Sequence, residues 1–206
     1  MGNRYIISIT AANRVGLLAA IGTALDELGG NIEELCQTVM QEFFSVLMAV
    51  EFPEHRDQSV VHDHLYDACR PFDASITVRD SGETAEATAE QGQTQAWYLT
   101  IDGPDQPGLM GHISAKLAAR KIDIRESYGC RDEQEGFFLV LKLAVPPNVD
   151  GDGFRTELAE LGRKWRLTVN VYEERDALET KDPRLLKIQS SSMLKRLADT
   201  PDAQTQ

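Results

Sequence analysis

The stretch Ala11-Ala12-Asn13-Arg14-Val15-Gly16-Leu17-Leu18 returns 92 positions later as Gly103-Pro104-Asp105-Gln106-Pro107-Gly108-Leu109-Met110. The register runs well past that loop: Ile7, Ile9, Leu17, Leu18, Ile21, Leu25 and Ile32 fall on Leu99, Ile101, Leu109, Met110, Ile113, Leu117 and Ile124. From Phe44 onward the shift is 93, pairing Phe44 with Phe137, Pro53 with Pro146, Val61 with Phe154, Leu65 with Leu158 and Phe72 with Trp165. One residue is therefore inserted near Arg131 to Gly136. Solenoid repeats have periods of roughly 20–50 residues. A period above 90 residues is the size of a small domain, so two cores are predicted rather than one.

Within each copy the hydrophobic period changes in the same order. A strand over 4–10 (96–103 in the second copy) leads into an amphipathic helix over 15–28 (107–120), where Leu17, Leu18, Ile21, Leu25 and Leu28 share helical spacing. Gly29-Gly30 ends the first of these as left-handed caps do. Strands are predicted over 32–39 and 43–52, the latter matched by 137–145. Pro53 or Pro146-Pro147 stops them. A second amphipathic helix follows over 57–69 (152–164), then a last strand over 74–79 (167–172). The order β-α-β-β-α-β predicts an α+β fold of two ferredoxin-like domains, each a four-stranded antiparallel sheet with both helices on one face. The other sheet face must be wet or paired.

The predicted domains are 1–80 and 96–174. Between them 81–95 has no large apolar side chain and reads as a flexible linker. The extension 175–206 carries Leu185, Leu186, Ile188, Met193, Leu194 and Leu197 in an uneven apolar stripe among Lys181, Arg184, Lys187, Lys195 and Arg196. It reads as a short helix that packs on a domain or frays in solvent, or else docks a partner.

Composition narrows the function. With 33 acidic against 21 basic side chains the formal charge is -12, which repels phosphate backbones and anionic lipid surfaces. Direct nucleic-acid and membrane partners are not expected. The first residues run straight into Tyr5-Ile6-Ile7-Ser8-Ile9-Thr10 without the pattern of a signal peptide. Three cysteines, an odd number, suit a reducing compartment, so a cytoplasmic location is expected.

A strand that ends in a polar residue and a glycine, then opens into a helix, leaves first-turn N–H groups for an anion such as a carboxylate. Asn13 both donates and accepts, as an amino-acid zwitterion requires. The competing structural account is that Asn13 and Asp105 cap their helices and that Gly16 and Gly108 allow close helix packing.

Asn13-Arg14-Val15-Gly16-Leu17-Leu18 and Asp105-Gln106-Pro107-Gly108-Leu109-Met110 resemble the N/D-x-P-G-L-L loop of ACT domains, over nearly all of 4–79 and 96–173. Two such domains with no catalytic domain attached resemble the glycine cleavage system transcriptional repressor family and related tandem-ACT proteins. The resemblance implies that domains pair across an interface and bind amino acids there, with the first loop and the start of the second strand. In serine-sensing ACT domains of phosphoglycerate dehydrogenases one Asn precedes the loop and another opens strand two; Asn13 and Asn31 match them here. The implied ligand-binding residues are Asn13, Arg14, Val15, Gly16, Leu17, Asn31 and Ile32, with Asp105, Gln106, Gly108, Leu109 and Asp123 in the second copy. Val15 stands where the family often has Pro. Two carboxylates at 105 and 123, if near each other, would repel a ligand carboxylate and welcome a cation.

The resemblance implies a non-enzymatic regulatory protein with an amino-acid effector and no other cofactor. Its partners would be a second copy of the chain in a homodimer and a protein such as a DNA-binding regulator or an enzyme. The alternatives are an assembly module without ligand, and a redox or hydrolytic protein using Cys36 or Cys69, the latter beside Arg70. No metal is expected: His62 and His64 point about 200° apart on a helix, and His55, His62 and Cys69 are two turns apart. Cys36 and Cys130 read as space-filling thiols, His112 as a helix-surface histidine beside the second loop. Glu33-Glu34 and 131–136 read as charged turns.

Overall fold

A computed structural model describes residues 2–84, 93–131 and 136–180, together with 182, 185 and 188. The chain divides into two compact units, Met1–Glu90 and Gln91–Gln206. No helix among the described residues is long and apolar enough to cross a membrane.

The first unit runs β1 (Asn3–Ala12), α1 (Leu17–Glu27), β2 (Asn31–Met40), β3 (Phe43–Phe52), α2 (Gln58–Cys69), a 3-10 turn (Arg70–Phe72) and β4 (Ser75–Asp80). Its sheet order is β2-β3-β1-β4, with every neighbouring pair antiparallel. This is the ferredoxin-like arrangement. Alternation along β1 sends Tyr5, Ile7, Ile9 and Ala11 to the helix side. There they meet Leu17, Ile21 and Leu25 of α1, Val61, Leu65 and Cys69 of α2, and Val46, Met48, Val50 and Phe52 of β3. Each buried Val, Leu, Ile, Phe or Met among them contributes about 1.5–3 kcal/mol by leaving water.

The second unit repeats the plan as β5 (Gln95–Pro104), α3 (Leu109–Ala119), β6 (Asp123–Arg131), β7 (Gly136–Val145), α4 (Gly151–Trp165) and β8 (Thr168–Glu173), with order β6-β7-β5-β8. The likeness extends to an irregularity: the register slips between Ile32 and Glu34 in the first sheet and between Ile124 and Glu126 in the second. Glu33-Glu34, expected as a charged turn, thus form a β-bulge inside a strand. Of the other expected charged turn, 132–135 lie outside the described residues.

The expected linker is structured at both ends. Ser81–Thr84 form a 3-10 turn in which Gly82 N–H donates to Asp80 Oδ1 at 2.8 Å, and Gln95 opens β5. Residues 85–92 lie outside the described residues.

The outer sheet faces differ. In the second unit a short helix α5 (Glu174–Glu179) follows β8 at once, and Ala177, Leu185 and Ile188 bury Tyr98 and Val140 on the face turned away from α3 and α4. The middle of that face is thus covered by the same unit, while Tyr128 at its edge stays 37% exposed. Of the predicted extension stripe only Leu185 and Ile188 fall among the described residues. In the first unit the corresponding face leaves Leu47 half-exposed and Met40 and Phe43 largely exposed.

Leu18 and Met110 depart from the predicted core, at 43% and 39% exposed, while Leu17 and Leu109 beside them are buried. In both copies the second apolar residue of the motif faces solvent. Ile32 is exposed too, because β2 is an edge strand open along all ten residues.

Candidate functional site

After Ala12 the chain turns back onto its own sheet: Asn13 N–H donates to the Glu42 carbonyl at 2.8 Å, and Leu17 N–H to the Arg14 carbonyl at 3.3 Å. The turn closes on Gly16 at φ 97°, and its counterpart Gly108 lies at φ 85°. A Cβ on Gly16 would come no nearer than 3.9 Å to another atom, Phe72 Cζ, and one on Gly108 would meet nothing within 4 Å. Close packing does not explain these glycines. The left-handed backbone does.

That backbone also corrects the capping account and the helix starts. Gly16 and Gly108 are themselves the N-caps, and neither helix has a side-chain cap hydrogen bond. The helices therefore begin at Leu17 and Leu109, two residues later than expected. Among the described residues, the first-turn N–H groups of Leu18 and Ala19 have no partner, nor has the exposed amide of Asn13. Arg14 is directed sideways, its Nη1 donating to the Pro71 carbonyl at 3.2 Å, and Val15 is fully exposed.

Asn31 is not brought to this loop. It opens β2 opposite Glu51, whereas Asn13 lies beyond Phe43 at the other end of β3. Eight residues of strand separate the two levels, about 26 Å. Asp123 and Asp105 are separated in the same way along β7, from the Ala144 level to beyond Gly136. Each has its own arginine: Arg131 pairs with Asp105, and Arg125 with Asp123 at 3.3 Å. The two carboxylates are neither adjacent nor unpaired, which removes the basis for expecting a cation at the second loop. Gln106, Gly108 and Leu109 keep the loop geometry of the first copy, with Leu109 N–H donating to the Gln106 carbonyl at 3.1 Å.

Periodicity did not reveal an exposed apolar swath that runs along β2 to the first loop. Val15, Leu18, Ile32, Leu35, Val39, Met40 and Phe43 are all at least 36% exposed. The slip at Glu33 hides it, since the bulge is what puts Ile32 on the same face of β2 as Leu35 and Val39, while Met40 and Phe43 lie on the other face.

The remaining candidates take ordinary roles. His62 stacks on Tyr66 and pairs with Asp63, and His64 pairs with Glu27 at 2.8 Å. No cluster of three potential metal ligands occurs among the described residues. His112 packs its ring on Trp165, centroids 4.9 Å apart. Cys36 is exposed and Cys130 half-buried, so neither fills a core, whereas Cys69 is buried. Burial pushes the Cys69 thiol up, the reverse of an activated thiolate. At pH 8 a water-soluble aromatic disulfide is expected to label Cys36 at least about tenfold faster than Cys69. Comparable rates in the folded chain would show Cys69 to be accessible and reactive.

No protein-family model matches the chain. A UPF0237 protein of Methanosarcina acetivorans is 33% identical over 66 residues, which cover 32% of this chain and 72% of that relative. One from Corynebacterium diphtheriae is 31% identical over 75 residues, covering 36% and 82%. Each alignment has the length of a single repeat. Among solved structures, a protein from Galdieria sulphuraria superposes with a TM-score of 0.70 at 18% identity, over 84% of this chain and 99% of its own. A protein described as a glycine cleavage system transcriptional repressor gives 0.60 at 13% identity, over 84% and 98%. At such identities the likeness is one of fold, and it spans both repeats. The chain belongs to the UPF0237 family and carries the ACT-type fold twice.

Proposed function

We propose that this is a non-catalytic regulatory protein which binds a small amino acid where the Asn13–Gly16 loop of one copy meets the start of β2 of a second. The observation that carries this is the position of the two asparagines, at opposite ends of one sheet with a bare apolar edge between them. Antiparallel pairing of two β2 strands about their midpoint, between Leu35 and Cys36, sets Asn31 of one copy level with Met40 of the other. Met40 pairs with Phe43, the level of Ala12 and the loop. Two equivalent sites result, each drawing on both copies.

The chemistry suits a zwitterion. First-turn N–H groups and the Asn13 amide donate to the carboxylate, and asparagine carbonyls accept from the ammonium. Gly16 keeps the approach to that backbone open. A charge of -12 disfavours DNA, so an effect on transcription of amino-acid metabolism, such as glycine cleavage, would pass through a protein partner.

A thermal-shift and calorimetric screen of the full chain with the twenty amino acids tests this. At 100 times its dissociation constant the effector is expected to stabilise the fold by about 2.7 kcal/mol. Asn13→Ala and Asn31→Ala are each expected to abolish the shift. No shift with any amino acid would overturn the reading in favour of an assembly module.

A further inference from the structure

We infer that the second unit holds an oxyanion site, for a carboxylate- or phosphate-bearing small molecule, between the Gln106-Pro107 turn and the α4–β8 connection. The place is an open hollow of about 330 Å³ lined by Gln106, Pro107, Lys164, Trp165 and Arg166. It does not rest on the amino-acid reading of the first loop.

Charge accounting singles out this hollow. The chain carries 33 acidic against 21 basic side chains, so most cations have a carboxylate at hand. Among the described residues of the second unit, Lys116, Arg120, Arg125, Arg131, Lys142, Arg155, Arg163 and Arg175 all form ion pairs. Lys121, Lys164 and Arg166 do not, and two of these three flank the same hollow. The carboxylate next to the turn, Asp105, is engaged by Arg131, and Glu160 one turn back along α4 faces Arg163. An arginine fork takes two oxygens of a carboxylate or phosphate, and a lysine adds a compact second charge. Trp165, braced by the His112 ring, supplies an apolar wall.

Among the described residues, the equivalent place in the first unit lacks both cations. By the 93-residue shift, Pro71, Phe72 and Asp73 stand where Lys164, Trp165 and Arg166 stand in the second. The neighbouring Arg14 is occupied with the Pro71 carbonyl. Both connections use the same left-handed turn, Asp73 at φ 53° and Arg166 at φ 58°. Glycine is the favoured residue there and arginine a costly one, so Arg166→Gly removes the cation while easing the backbone.

The test is NMR titration of the full ¹⁵N-labelled chain with sodium phosphate, acetate and malonate, ionic strength held with sodium chloride. The expected result is a saturable shift of the Trp165 indole and Arg166 amide signals, with the Trp97 indole unmoved. A preference for phosphate assigns a phosphorylated ligand, and one for acetate or malonate a carboxylate. Lys164→Gln and Arg166→Gly are each expected to weaken binding by roughly tenfold or more. Arg166→Gly is expected to keep or raise the melting temperature, so its loss of binding would not reflect unfolding. Asn13→Ala is expected to leave the titration unchanged, which separates this site from the first loop. A response that never saturates, or one that persists in both cation variants, would overturn the assignment.

Discussion

Phe52→Ala is expected to lower the stability of the first unit by about 3–5 kcal/mol, the range for emptying a buried phenylalanine site. The ring is fully buried. Tyr5 meets it edge-on at 5.9 Å between centroids, and it lies directly on Gly30, where an added Cβ would come within 2.8 Å of Cε1. A rigid aromatic contact on one side and bare backbone on the other leave little room for the cavity to collapse. A unit of this size has about 5–13 kcal/mol of stability in all, so the substitution removes from a quarter to nearly all of it. Calorimetry of the full chain should show the first unit's transition falling by more than about 10 °C. The transition of the second unit should stay in place, because the two cores share no residue. A shift of both transitions together would mean that the cores do not melt separately.

Much of this fold was legible because each copy reports on the other. β3 was predicted over 43–52 and runs Phe43–Phe52, bounded by a turn and by Pro53. Hydrophobic period could not find the start of α1, because Val15 and Gly16 extend a helical pattern that the left-handed Gly16 interrupts. β2 was placed, but its faces were not, since the bulge at Glu33 shifts every later side chain by one position. Apolar spacing marked the extension as a helix that packs on a domain, frays in solvent or docks a partner. Only the structure shows Leu185 and Ile188 packed with Tyr98 and Val140 on the outer sheet face of the second unit.

The candidate site was legible in its parts and not in its assembly. Gly16, Gly108, Asn13 and Asn31 stand out in the sequence, but the distance between the asparagines depends on strand order, which a motif does not carry. Lys164 and Arg166 read as the usual solvated end of a helix. The signal was the cross-copy comparison of Pro71-Phe72-Asp73 with Lys164-Trp165-Arg166, and it gains meaning once the surrounding carboxylates are found to be engaged elsewhere.

On the proposed β2–β2 dimer with its shared amino-acid site, joint replacement of Leu35 and Val39 by lysine is expected to give a monomer in sedimentation at micromolar concentration and to abolish the amino-acid response. Sheets ordinarily protect an edge with lysine, proline or inward charge. β6 follows that rule, with Asp123, Arg125, Glu126 and Arg131 along it. β2 has its charges at one end, in Glu33 and Glu34, and Glu33 is tied to Arg4 at 2.7 Å. Beyond them Leu35, Val39 and Met40 continue into Phe43 and the loop residues Val15 and Leu18, all exposed. Placing lysine at 35 sets two like charges close together across the two-fold β2–β2 junction, a pair disfavoured by about 1–4 kcal/mol at surface dielectric, and lysine at 39 puts a charge level with the apolar Ile32 of the other copy. Because both native side chains are already 43% exposed, the monomer itself should lose less than about 1 kcal/mol. Melting of each unit would then be nearly unchanged while the response disappears. A variant that stays dimeric would place the interface elsewhere. One that is monomeric yet still binds the amino acid with full affinity would show that a single copy completes the site.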